Sequence, residues 1–393
     1  MQTSRSQTAP EGSPFARHLP PLDGIRGLAI LGVVGSHLFQ GNAHTAFQLA
    51  AQHSLAFGAN GVDLFFVLSG FLITGILYDS LPDPAFFRKF YARRILRIFP
   101  LYYAVLVVFA LAALPFGLYF FRELLSLALY LQNSNLIATP IRYYVGPPAL
   151  PLTHFWSLAI EEQFYLVWPV TVFFLRNKRS LLVFCAASLC FCPLLRFALL
   201  THGVNFFTVH TNTLCRSDSL LAGGALALLL RSHLHDRVLR ARGWIFMASV
   251  LAYGVVPLLF WLGLISIPSI GFNLVLALTP SAIAFGSVGL IALALQSGQI
   301  GEFFSIKPMR WLGKYSYGIY VLHLILIAYL EEPIRLMVKS HLTLNKEAGV
   351  VIGSILIFFM SLAAAYLSYN LYEKRFLRLK RFFDYRHHSN TVN

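Results

Sequence analysis

Arg26 and His37 stand eleven residues apart in "LDGIRGLAILGVVGSH", residues 22–37, at the head of an apolar run. At ~100° per residue, eleven residues turn ~1100°, within ~20° of three full turns, so one helix face carries both. Their separation along the axis is ~16 Å. A charged group at the centre of a bilayer costs on the order of 3 kcal/mol, so His37 must face a bundle interior or a wet cavity. An imidazole so placed can take a proton from a hydroxyl or attack a carbonyl carbon. Arg26 lies nearer the end of the run, where a long side chain can also snorkel to the interface.

Three further groups share this character. "FWSLAIEEQFYLVWP", 155–169, sets Glu161 and Glu162 inside another apolar helix. Neighbours point ~100° apart, so at most one of the two can share a given interior line. "NGVDLFFVLSGFLITG", 60–75, brings Asp63 in from the opposite side to Arg26. Counted from the ends of the apolar runs, Glu161 and Asp63 both reach the depth of His37. Either is a candidate to hydrogen-bond the ring and orient it; the bland alternative is an ion pair that locks helices. Ser69 and Gly70 interrupt the same run, as small residues do where helices pack closely. In "FRKFYARRILRIFPLYY", 87–103, Arg94 and Arg97 are three apart on one face, with Arg93 beside them. This fork suits phosphate groups, either of a soluble anion or of lipid headgroups. Arg216 and Asp218, at the outer end of a later run, are expected to lock helices. His323, in "GKYSYGIYVLHL", enters from the cytoplasmic side and is expected to stay clear of His37.

These groups need a membrane bundle to hold them. The chain of 393 residues is 57% hydrophobic and 12% charged, against about 25% charged in soluble domains. Apolar runs fall at 23–43, 61–79, 98–116, 120–138, 154–175, 181–200, 217–231, 244–265, 271–295, 315–331 and 348–372. The net charge of +15 sits in short clusters between them, which is the positive-inside pattern and not a nucleic-acid surface. If all eleven runs spanned, the clusters after 175 would face the wrong side. Run 120–138 carries Arg122 and Glu123 and ends in "QNSN". Reading it as an interfacial or re-entrant helix leaves an all-α polytopic protein of ten spans, with both termini cytoplasmic. Residues 1–22 form a polar, Pro-rich cytoplasmic leader without a signal-peptide core, 23–375 the membrane domain, and 376–393 a basic tail. The outer loops near 139–153 and 201–216 read as a binding rim or as ordinary connections. Cys185, Cys190, Cys192 and Cys215 lack metal-ligand spacing and read as small hydrophobes; no metal site is expected.

Five motifs occur in an order that resembles the acyltransferase-3 family of integral membrane proteins: Arg26-x10-His37, "GVDLFFVLSGFLIT", "RRILRIFPLYY", "WSLAIEEQFY" and "YSYGIYVLH". The resemblance covers about residues 20–380. It implies acyl transfer, commonly of acetyl, from acyl-CoA to hydroxyls of carbohydrates, lipid-linked glycans or macrolides, in the bacterial cytoplasmic membrane. It implies that Arg26 and His37 are essential, that Arg94 and Arg97 handle the CoA donor, and that the motif glutamate is Glu161. Some members of that family carry a fused SGNH hydrolase-like domain, which is not expected here. The expected layout has CoA phosphates near Arg93, Arg94 and Arg97 and the thioester at His37, with Glu161 or Asp63 orienting the ring. His37 serves as general base or as nucleophile. The competing class is a proton-coupled transporter, for which intramembrane His and Glu are also typical. No symmetry-related broken helices are evident, and transport has no need of the arginine fork.

Overall fold

The computed structural model describes residues 19–38, 52, 55, 57–114, 121–134, 150–264, 269–341 and 346–385. Most of the leader, most of loop 139–153 and the end of the tail lie outside these. The described regular structure is entirely helical. In chain order the helices are α1 (Pro20–Leu38), α2 (Gly61–Asp79), α3 (Phe86–Ala113), α4 (Phe121–Ala128), α5 (Trp156–Leu175), α6 (Lys178–Thr201) and α7 (Phe206–Thr211). Then follow α8 (Thr213–Leu229), α9 (His235–Trp261), α10 (Ile270–Ala294), α11 (Gln299–Ser305), α12 (Lys307–His341), α13 (Lys346–Ser368) and α14 (Lys374–Arg378). Asparagines start three of them: the side chains of Asn177, Asn205 and Asn212 accept from the backbone N–H groups of Arg179, Phe207 and Leu214.

Among the described residues, seven helices are long and apolar enough to cross a membrane: α2, α3, α5, α6, α9, α10 and α13. Three more polar long helices, α1, α8 and α12, carry Arg26 and His37, Arg216 and Asp218, and His323. Two of them, α1 and α8, are buried along most of their length, as a helix with polar groups must be in lipid. Large apolar side chains such as Val108, Phe174 and Trp244 point outward instead. Among its described residues the 120–138 run forms the eight-residue α4, ~12 Å long, far short of a ~30 Å hydrocarbon core. Its reading as a non-spanning helix agrees with that length.

Close backbone approach holds the interior helices. A Cβ on Gly70 would fall 1.7 Å from the Leu220 carbonyl oxygen, and one on Gly223 1.9 Å from that of Val67, so α2 and α8 cross in near contact. Gly313 does the same for α12 against Asp23 of α1, at 1.8 Å. Packing is the role expected of the small residues at 69–70, and Gly70 fulfils it.

The α2–α8 seam also contains Asp63. Its Oδ1 accepts from Arg216 Nη2 at 2.7 Å and from Ser219 Oγ at 3.0 Å, all buried. A second pair lies beside it: Arg196 donates to both carboxylate oxygens of Asp218, at 3.1 and 2.9 Å, and to Ser281 and Ala277. Arg216 and Asp218 therefore do lock helices, as expected. Asp63 locks with them and is not the partner of His37. Asp63→Ala strands a buried guanidinium and should cost about 3–5 kcal/mol of stability. Thermal unfolding in detergent should show that loss, while turnover per folded molecule stays near wild type. A turnover defect with unchanged stability would return Asp63 to the chemistry. Of the cysteines, Cys185, Cys192 and Cys215 are buried and Cys190 is exposed.

Candidate active site

A cavity of about 1310 Å³ opens among α1, α2, α3, α5 and the C-terminal segment. Its mouth is cationic. Arg93, Arg94 and Arg97 project into it from one face of α3, because spacings of three and four residues return to the same side of a helix. Arg26 adds a cation from α1, Lys380 and Arg381 add two from the C-terminal turn, and Arg88, Lys89 and Arg231 bring the cations of the lining to nine. Carboxylates are fewer, five in all: besides Glu161, Asp79 takes Arg231 and Asp83 takes Lys89. Asp23 takes Arg26 Nη1 at 2.9 Å, and Asp384 takes Arg93 Nη1 at 2.5 Å. The Arg93 guanidinium also lies 5.5 Å from the Tyr385 ring centre. The Arg94 guanidinium sits 5.6 Å from the Tyr165 ring, and its buried Nε has no hydrogen-bond partner. Arg26 and the three α3 arginines thus meet in one basin, the arrangement expected of a polyanion site.

Glu161 lines the waist of this cavity. It hydrogen-bonds Ser69, and its charged neighbours are Arg94, Arg26 and Arg97. Ser69 in turn shares a hydrogen bond with the Tyr165 hydroxyl. Glu161 is therefore level with the arginines and does not orient His37. The reason is the start of α5. The chain dips inward before the helix begins: Leu152, His154 and Phe155 are all buried. His154 is the residue at the depth of the histidines, and Glu161, seven residues on, lies ~10 Å farther toward the arginines. Glu162 turns away toward Tyr130, Tyr102 and Tyr103, as the ~100° step requires.

The inner end of the cavity is closed by two hydroxyls. Tyr320 Oη donates to the His154 carbonyl at 2.8 Å and Ser157 Oγ to the same oxygen at 3.1 Å, and the two hydroxyls touch each other. Behind them are three imidazoles. The His154 and Tyr320 ring centres are 5.2 Å apart, and the His154 and His323 rings 5.1 Å. His323 stacks on His37 at 5.1 Å, with Nε2 of His323 2.9 Å from Nδ1 of His37. His37 does not itself line the cavity, whereas Tyr320 and Ser157 do.

Contact between His37 and His323 overturns the expectation that they stay apart. The apolar run on α12 begins near 315, but the helix begins at Lys307. His323 is therefore sixteen residues along its helix and His37 seventeen along α1, ~24 and ~26 Å from starts on the same side. His154, Lys380 and Asp384 escaped sequence reasoning because no apolar periodicity marks them. Ser157, Tyr165 and Tyr320 lay inside recognised motifs without an assigned role. Among the described residues, no group of three or more His, Cys, Asp or Glu could hold a metal ion.

Comparison with known proteins places this geometry in context. The family described as "Acyltransferase domain" matches residues 20–370. The peptidoglycan O-acetyltransferase OatA of Listeria monocytogenes is 30% identical over 334 residues, covering 78% of this chain and 49% of that protein. A candidate peptidoglycan O-acetyltransferase of Bacillus subtilis, YrhL, is 31% identical over 338 residues, covering 81% of this chain and 50% of its own length. A candidate O-acetyltransferase of Staphylococcus aureus is 30% identical over 332 residues, 80% of this chain and 52% of that one. The chain thus spans about half the length of the curated relatives it matches. No solved structure matches.

Proposed function

Because the chain belongs to the acyltransferase-3 family, we propose that it transfers an acyl group, acetyl in the first instance, from acyl-CoA to a hydroxyl of a carbohydrate acceptor. The observation that carries this reading is the cavity itself, which joins a strongly cationic lining to a pair of hydroxyls backed by three histidines. Nine cations facing five carboxylates leave an excess of positive charge that calls for a multiply charged anion, and CoA carries its phosphates at one end and its thioester at the other. In this reading Arg93, Arg94, Arg97 and Lys380 hold the phosphates, and Asp384 occupies Arg93 until they arrive. The acyl arm runs past Glu161, which balances Arg26 and the α3 arginines. Its thioester reaches the Tyr320–Ser157 contact, which must open to admit it to His37.

His37 acts there as general base. It takes the proton of the acceptor hydroxyl as the oxygen bonds to the thioester carbon. The C–S bond breaks as the carbonyl reforms, and the imidazolium returns its proton to the leaving thiolate. The acceptor comes from the side opposite the arginines. A bacterial surface glycan fits the relatives, two of which bear names referring to peptidoglycan O-acetylation. We place the protein in the bacterial cytoplasmic membrane with ten spans, the long helices other than α4, α7, α11 and α14, and with both ends and the basic mouth toward the cytoplasm. The test is direct. Purified protein with labelled acetyl-CoA and muropeptide or polysaccharide acceptors should release CoA and label the glycan with an alkali-labile ester. Neither product, across acceptors with a wild-type-like fold, would sink the reading.

A further inference from the structure

We infer that His323 is a positioning residue that fixes the tautomer of His37, placing the proton of the neutral ring on Nδ1 and the free lone pair on Nε2. The inference follows from donors and acceptors alone. His323 Nδ1 lies 2.7 Å from the Tyr320 carbonyl oxygen and 3.2 Å from that of Ile319. Carbonyl oxygens only accept, so Nδ1 carries the hydrogen. Nε2 of a neutral His323 is then a bare lone pair. It is 2.9 Å from His37 Nδ1, so His37 must be the donor in that bond. The remaining lone pair of His37 is on Nε2, at the far side of the ring from His323.

Nothing nearby competes for the bond. His323 is fully buried, and among the described residues no carboxylate hydrogen-bonds either ring. The third ring, His154, directs Nε2 toward the Val321 carbonyl at 3.3 Å, and its Nδ1 has no partner. It packs on His323 without reaching His37. His37 alone would be free to interconvert tautomers; the backbone of α12, acting through His323, selects one. The same chain serves after proton uptake. An imidazolium at His37 keeps Nδ1–H on His323, whose own Nδ1–H rests on a carbonyl, so the new charge meets an aligned dipole chain.

Two measurements test this, and they fail separately. The kinetic arm rests on the proposed role of His37 as base. His323→Leu removes the acceptor and should lower kcat at least about tenfold while leaving KM for acetyl-CoA within twofold. His323→Gln can present an amide oxygen to His37 Nδ1 and should recover a clear part of that loss at equal thermal stability. Wild-type kcat in His323→Leu, or equal losses in both variants, overturns the inference. The spectroscopic arm needs no activity. Solid-state 15N NMR of histidine-labelled protein in lipid, with His37→Ala for assignment, should find His37 protonated at Nδ1 in the wild type. In His323→Gln that state should persist, and in His323→Leu it should be lost. A His37 protonated at Nε2 in the wild type overturns the inference even if acyl transfer is confirmed. Conversely, an inactive protein with the Nδ1 tautomer retains the inference and refutes the catalytic reading.

Discussion

His37→Ala should reduce acyl transfer by at least about a hundredfold while leaving acyl-CoA binding intact. General-base catalysis by a positioned imidazole is worth about 10²–10⁴ in rate. His323 has its Nδ1 committed to backbone carbonyls and its Nε2 to His37, so deleting His37 leaves a lone pair one ring too far from the acceptor. The fold should tolerate the change. His37 lies in the last turn of α1, and the glycine contacts that seat α1 against α11 and α12, at Gly24 and Gly27, are ten or more residues away. Binding of acetyl-CoA or of 3′,5′-ADP, measured by calorimetry in detergent, therefore separates lost chemistry from lost structure. Normal transfer by His37→Ala would remove the ring from the mechanism altogether.

Arg94→Gln combined with Arg97→Gln should raise KM for acyl-CoA by at least about 100-fold with a much smaller change in kcat. Each charge-assisted hydrogen bond is worth about 1.5–3 kcal/mol, and two are removed. The effect belongs in KM because phosphates far from the thioester interact alike in ground and transition states. Asp384→Asn supplies the opposite sign. It frees Arg93 from its 2.5 Å carboxylate contact, so the donor no longer has to displace an internal anion, and KM should fall. Asp384 is two-thirds exposed, so the gain is at most a few fold. A double arginine variant with unchanged KM would move the donor elsewhere. A raised KM in Asp384→Asn would make the C-terminal contact a support for the site and not a competitor.

Most of the architecture was legible because lipid leaves few choices. Long apolar runs must become helices, and within the described residues the weak 120–138 run yields a short one. The arginine fork was legible for the same local reason: residues three and four apart on one helix share a face whatever surrounds them. Partnerships between helices were not. Glu161 and Asp63 looked level with His37 only because depth was counted from the ends of apolar runs. In the fold, α5 is entered through a buried turn and α12 begins eight residues before its apolar run, so each count was displaced by more than a helical turn.

What the sequence by itself determined is the set of ionisable groups and their helix faces, since rotation and rise are properties of a single chain segment. Only the tertiary structure decided which of them meet. Axial offsets between helices are set by where glycines allow backbones to touch and where buried ion pairs must close. One turn of slip, ~5.4 Å, is enough to exchange a carboxylate for an imidazole beside His37.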